Sequence, residues 1–131
     1  MTSPPNLSPY EHLGGAAVLR DLVTRFYRYM DELPEAGGIR AMHGRDLADA
    51  EGKLFMFLSG WLGGPNLYWE AFGHPRLRMR HLPFSIGASE RDQWLACMGR
   101  ALDDTVSDPA LRASLYAAFS QTAQHMINRA E

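Results

Sequence analysis

The sequence predicts an all-α fold, and three observations carry that expectation. Apolar residues recur at helical spacing along nearly the whole chain. No segment alternates with period two for long enough to argue a strand. Clusters of glycine and proline separate the apolar stripes.

The elements follow in order. Val18, Leu22, Phe26 and Met30 lie four apart, with Leu19, Val23 and Tyr27 on an adjoining line, so one helix carries a broad apolar stripe. Gly14 and Gly15 permit a sharp turn into it. Pro34, Gly37 and Gly38 mark its end. A second helix spans about Asp46 to Trp61, with Asp46 as N-cap and Leu47, Ala50, Leu54, Phe57, Leu58 and Trp61 as its stripe. Gly63, Gly64 and Pro65 stop it. From Asn66 to Gly87, interruption by Gly73, Pro75 and Pro83 leaves room only for short helical pieces, one of them from Arg76 to about His81. A third long helix starts near Ser89, with Glu90 and Asp92 in its first turn and Trp94, Leu95, Met98 and Leu102 on its apolar face. The last begins near Ser107 or Asp108, with Pro109 at an early position, and runs through Leu111, Leu115, Ala118, Phe119 and Met126.

Composition narrows the function classes. A chain of 131 residues, 46% hydrophobic and 21% charged, reads as one ordinary globular domain. We expect a mobile N-terminal extension at residues 1–9 and a single domain over 10–131. The formal net charge of −2 gives no electrostatic case for nucleic acid. No apolar run approaches the roughly 20 residues of a spanning helix, so no membrane partner is expected. MTSPPNLSPY lacks the pattern of a secretory signal, and a cytoplasmic location is the default expectation. Cys97 is the single cysteine, so no intrachain disulfide forms, and it reads as a small core residue.

The long irregular stretch at 66–87 is of a kind that is often functional, and it contains His81. The five histidines, His12, His43, His74, His81 and His125, include no HxxxH pair, so a zinc site is poorly supported. GxSxG, GxGxxG and phosphate-loop motifs are absent, and Ser85 has no obvious acid partner. What remains is one isolated histidine beside a large apolar set. A structural histidine is the commoner reading of such a residue. One imidazole also suffices when a macrocycle already holds the metal, as in haem proteins.

Resemblance decides between these readings. GGPNLYWEAFGHPRLRMRHLPFSIG (63–87) followed by ERDQWLACM (90–98) resembles the truncated haemoglobins, in particular their second group. GGAAVLRDLVTRFY (14–27) and DLADAEGKLFMFLSGWLGGP (46–65) support it, and the likeness runs from about Tyr10 to Ile127. The tyrosine usual before GHP is replaced here by Phe72.

The resemblance implies a two-over-two helical sandwich around haem b. It makes His81 the proximal iron ligand, and Tyr27, His43 and Trp94 the distal ligand-stabilising set. His43 comes from IRAMHGRDL (39–47), with Met42 the alternative at that position if the register shifts by one. Ala50 leaves space for gas access. Leu54, Phe55, Leu58, Phe84, Ile86 and Met98 are expected haem walls, and Lys53, Tyr68 and Arg80 match positions that reach the propionates. Without the resemblance, Tyr27 and Trp94 read as plain core and Lys53 as a solvated charge. Arg76 and Arg78 read as surface or structural, His74 as structural, and His12 and His125 as surface residues.

The implied function is binding of O2, NO, CO or similar small ligands at a five-coordinate iron. NO dioxygenation or peroxidase-like chemistry, with a reductase as partner, is the expected use. Tyr27 O–H and Trp94 N–H would steer the bound gas, and His43 would offer a second N–H or control access. A non-enzymatic O2 carrier, store or sensor is the alternative, and a haem-free helical interaction module is the third reading. A monomer or a homodimer is expected.

Overall fold

The computed structural model describes residues 7–128. Its described elements are helices: α1 (Pro9–Leu13), α2 (Ala16–Glu32), a 3-10 turn (Pro34–Ala36), α3 (Gly37–Ala41), α4 (Ala48–Trp61), α5 (Leu67–Phe72), α6 (Leu77–His81), α7 (Ala88–Thr105) and α8 (Pro109–His125). The four long helices α2, α4, α7 and α8 are the four expected from periodicity. Of the expected extension at 1–9, residues 1–6 lie outside the described residues. Ser8 and Pro9 open α1, where the Ser8 hydroxyl and the Glu11 carboxylate cap each other's backbone N–H groups.

Each long helix is placed by its apolar stripe. In α2, Leu19, Leu22, Val23, Phe26 and Met30 are at most 1% exposed. Burying each contributes roughly 1.5–3 kcal/mol. α2 packs against α4 on one side and α7 on the other, and α7 backs onto α8. Leu58 from α4, Met98 and Leu102 from α7, and Leu115 and Phe119 from α8 close the same core. Cys97 is fully buried there, as expected.

Turn chemistry links the layers. Gly14 and Gly15 both take positive φ, which is the sharp turn into α2. Gly64 lies under the Tyr10 ring, where a Cβ would sit 2.5 Å from a ring carbon. Together with the bond from Tyr10 N–H to Leu62 O at 2.9 Å, this seats α1 on the end of α4.

Three boundaries differ from expectation. Gly37 and Gly38 do not simply end α2, because the chain turns tightly through Pro34–Ala36 and makes the short helix α3. α4 starts at Ala48, two residues later than expected, although the Asp46 carboxylate still accepts the Ala48 N–H at 2.9 Å. α6 starts at Leu77, because Arg76 adopts the left-handed conformation (φ 47°, ψ 55°) and cannot be its first helical residue.

Asp108 caps α8, accepting from Ala110 N–H at 2.9 Å and Leu111 N–H at 3.4 Å, and it meets His12 Nε2 at 3.1 Å. The two backbone donors, then His12, hold its carboxyl below the ordinary value of 3.8. A lowered carboxyl pKa stabilises fully above that ordinary value, and the contribution disappears as pH falls through the lower folded value. Acid unfolding followed by circular dichroism should therefore be steeper below about pH 4 in the parent than in Asp108→Asn, which keeps an acceptor but not the titration. Identical acid limbs would contradict this role.

Candidate functional site

His81 ends α6, and its Nδ1 lies 2.6 Å from the Leu77 carbonyl oxygen. A carbonyl only accepts, so Nδ1 carries the hydrogen and Nε2 of the neutral ring keeps its lone pair. That is the state an imidazole needs to ligate a metal, and the Leu77 bond is the outer partner that orients it. Among the described residues, no group of three His, Cys, Asp or Glu side chains comes together to hold a metal ion. A metal at His81 would have to bring its other ligands with it.

The surroundings of His81 are apolar and open. The exposed large hydrophobic side chains among the described residues are Leu7, Trp69, Phe72, Met79, Leu82, Phe84 and Tyr116. Four of these fall between 72 and 84, with Met79 at 59% and Leu82 at 55% exposure. Exposed apolar side chains gathered in one short stretch with a histidine mark a candidate binding face.

The expected cations Lys53 and Arg80 each lie against one ring of the Phe72–Tyr68 pair. Lys53 Nζ lies 5.6 Å from the Phe72 ring centre, Phe72 lies 5.0 Å from Tyr68, and the Arg80 guanidinium lies 5.8 Å from Tyr68. Arg80 spends its Nε on Pro75 O at 2.8 Å, which leaves the outer guanidinium nitrogens for an anion. Lys53 also pairs with Asp49 at 3.2 Å, with Asp49 largely exposed. The Arg78 guanidinium is structural and reaches the end of α8, whereas Arg76 contributes its backbone N–H, which donates to His74 Nδ1 at 3.0 Å, and its side chain is exposed.

The distal set forms a second cluster. Tyr27 and His43 rings meet edge-on at 6.0 Å, Tyr27 packs on Phe26 at 4.9 Å, and Phe26 on Trp94 at 5.1 Å. The Tyr27 hydroxyl donates to Ala50 O at 3.4 Å, well beyond the usual length for such a bond. It is loosely held and free to turn to another acceptor. Burial first, and the Glu51 charge second, push the Tyr27 pKa up, so the phenol stays protonated and keeps its donor.

His43 departs from expectation. Its Nδ1 lies 2.8 Å from Ile39 O, so the neutral ring presents the Nε2 lone pair. The expected second N–H toward a ligand is spent on the backbone, and neutral His43 is an acceptor there.

Of the expected walls, Leu58, Met98 and Ile86 are buried, Met98 completely, while Leu54 is partly buried and Phe84 exposed. Phe55 is placed elsewhere. It is buried, and the Arg20 guanidinium from α2 covers its ring at 3.9 Å. Two positions along α4, Phe57 lies 6.4 Å from both Tyr68 and Trp61, on the side that carries Lys53 and Phe72. The four-residue rule puts Phe57 with Lys53 and Leu54, and Phe55 on another face.

Sequence reasoning also missed the tie between α3 and α7. Gln93, next to Trp94, accepts the Ile39 N–H at 2.9 Å. Gly38 makes this possible, since a Cβ there would lie 2.9 Å from both polar atoms of the Gln93 amide.

Comparison with known proteins places this architecture. Residues 8–128 match the bacterial-like globin family. The chain belongs to that family. Among solved structures, the globin is similar to the group II 2-on-2 haemoglobin from Agrobacterium tumefaciens, at 45% identity and a TM-score of 0.93 over 98% of this chain and 100% of that one. It is also similar to the truncated oxygen-avid haemoglobin from Bacillus subtilis, at 38% identity and a TM-score of 0.84 over 93% and 100%. A curated relative, group 2 truncated hemoglobin YjbI from Bacillus subtilis, is 39% identical over 124 residues, 95% of this chain and 91% of its own. The fold is thus the two-over-two truncated globin, and family membership implies haem-based binding of small diatomic gases. No helix among the described residues is long and apolar enough to cross a membrane.

The residues present fit haem. They supply one imidazole with a bare Nε2, an open apolar face around it, and two cations suited to carboxylates. The phase of α4 makes a direct prediction. Phe55→Ala should lower unfolding stability by about 3–5 kcal/mol in denaturant titration with little change in haem affinity. Phe57→Ala should instead speed haem loss to an acceptor globin. The reverse pattern would mean that α4 presents its other face.

Proposed function

We infer that this globin binds haem b through His81 and holds O2 and other diatomic gases at a five-coordinate iron, for redox or detoxifying chemistry. The observation that carries the reading is the pairing of one imidazole, held by its Nδ1 with Nε2 bare, with a separate cluster that contains two neutral donors. Cys97 is single and buried, so no pair of thiols supports covalent attachment, which favours the b type. Haem, when bound, supplies the gas binding and the redox chemistry.

The chain's own groups do the rest. Lys53, Tyr68 and Arg80 hold the propionates. Leu54, Phe57, Phe84 and Met98 line the pocket and exclude water. Tyr27 donates its O–H and Trp94 its indole N–H to a gas that carries partial negative charge, and both donors stay neutral as the gas comes and goes. His43 accepts through Nε2 and holds the proton of a protic ligand such as hydrogen peroxide. Ala50 is small and leaves an access path beside Tyr27.

Two donors in a dry pocket slow release, which suits chemistry better than delivery. The Bacillus subtilis relative is described as oxygen-avid, in the same sense. NO dioxygenation to nitrate, or peroxide turnover, would draw electrons from a separate reductase.

Each donor contributes roughly 1–3 kcal/mol. Tyr27→Phe and Trp94→Phe should therefore each release O2 roughly 5- to 150-fold faster in stopped flow. Release rates equal to the parent's in both variants would remove the donor role. Mixing the oxygenated protein with NO should give rapid stoichiometric nitrate. Slow reaction with fully reversible oxygenation would instead mark a carrier or store.

A further inference from the structure

None of the α6 side chains is buried, so apolar packing does not decide where this one-turn helix lies. Hydrogen bonds from the end of α8 do. Arg78 Nη1 donates to His125 O at 2.5 Å and Ile127 O at 3.1 Å. Asn128 then grips the segment that follows. Its Nδ2 donates to His81 O at 3.2 Å and Phe84 O at 2.8 Å. Its Oδ1 accepts the Ile86 N–H at 2.9 Å, and its own N–H donates to Ile86 O at 2.9 Å.

The geometry points to Asn128 as the positioning residue for His81, setting the aim of Nε2 through the backbone carbonyl of the histidine itself. The inference rests on the reading of His81 as the haem ligand. The ring is already tied to Leu77 O by Nδ1, so ring and helix move as one body. The direction of Nε2 then follows the backbone at 81, and Asn128 holds that backbone from outside α6. An amide suits the task, because Nδ2 adds a second donor to the His81 carbonyl, which already accepts the Phe84 N–H at 3.0 Å, and donates to the Phe84 carbonyl, while Oδ1 accepts the Ile86 N–H. An aspartate of the same size would set a carboxylate oxygen against the carbonyls of His81 and Phe84. Orienting partners of metal-bound histidines typically change metal affinity 10- to 100-fold when removed.

The test uses the haem-loaded full chain as parent, Asn128→Ala, Asn128→Asp and the control Gln124→Ala, which loses only the nearby Arg91 bond. The ferrous iron–histidine stretch is read by resonance Raman, haem loss by transfer to excess acceptor globin, and folding by far-ultraviolet circular dichroism. We expect both Asn128 variants to keep their helix content, to show a lower and broader iron–histidine band, and to lose haem roughly tenfold faster or more, with Gln124→Ala unchanged. An unchanged band and unchanged haem loss in either folded Asn128 variant would overturn the inference. So would an equal change in Gln124→Ala. His81→Ala separates the two levels: if it keeps the parent's iron–histidine band, the reading of His81 as ligand fails. If that band disappears while the Asn128 variants match the parent, only the positioning role fails.

Discussion

The site depends on one hydrogen bond, from His81 Nδ1–H to the Leu77 carbonyl at 2.6 Å. It selects the tautomer with a bare Nε2, and it binds the ring to a helix of five residues. Without it the imidazole could present either nitrogen, and the apolar face around it would have no fixed centre. The same bond type recurs at His43 with the Ile39 carbonyl, with a different consequence. There it converts a presumed donor into an acceptor, and leaves donation to Tyr27 and Trp94.

The helix that carries His81 differs from the rest of the fold. α2, α4, α7 and α8 are held by buried stripes, and their positions follow from apolar area. α6 instead shows Met79 to solvent and has no buried side chain. A side chain turned inward would anchor α6 in the core, but it would also remove the apolar surface a flat cofactor needs. Polar ties at the ends of α6 resolve the conflict. Arg80 closes on Pro75, Arg78 on the last turn of α8, and Asn128 on the carbonyls of His81 and Phe84.

This division explains what could be read from the sequence. The long helices were legible because apolar periodicity is local, and the family because a specific motif surrounds His81. The ring positions were less so. Phe55 and Phe57 are two residues apart on α4, and only helical phase separates the one under Arg20 from the one beside Tyr68. The conformation of Arg76 was hidden because nothing local in HPRLR announces a left-handed residue that is not glycine. Asn128 and Gln93 were invisible for another reason. Each acts across more than forty residues on a backbone group, and backbone groups carry no sequence signal. Gly38 was legible only as a helix breaker, whereas its role is to leave room for the Gln93 amide.

In the proposed haem complex a single protein atom, His81 Nε2, anchors the cofactor in an otherwise non-covalent pocket. The most direct measurement is a haem titration of the purified apoprotein, repeated on His81→Gly with and without added imidazole. The Soret band should saturate at one haem per chain in the parent, be weak and altered in the variant, and recover the parent spectrum when imidazole fills the vacated position. A His81→Gly protein whose spectrum already matches the parent's without imidazole would contradict it.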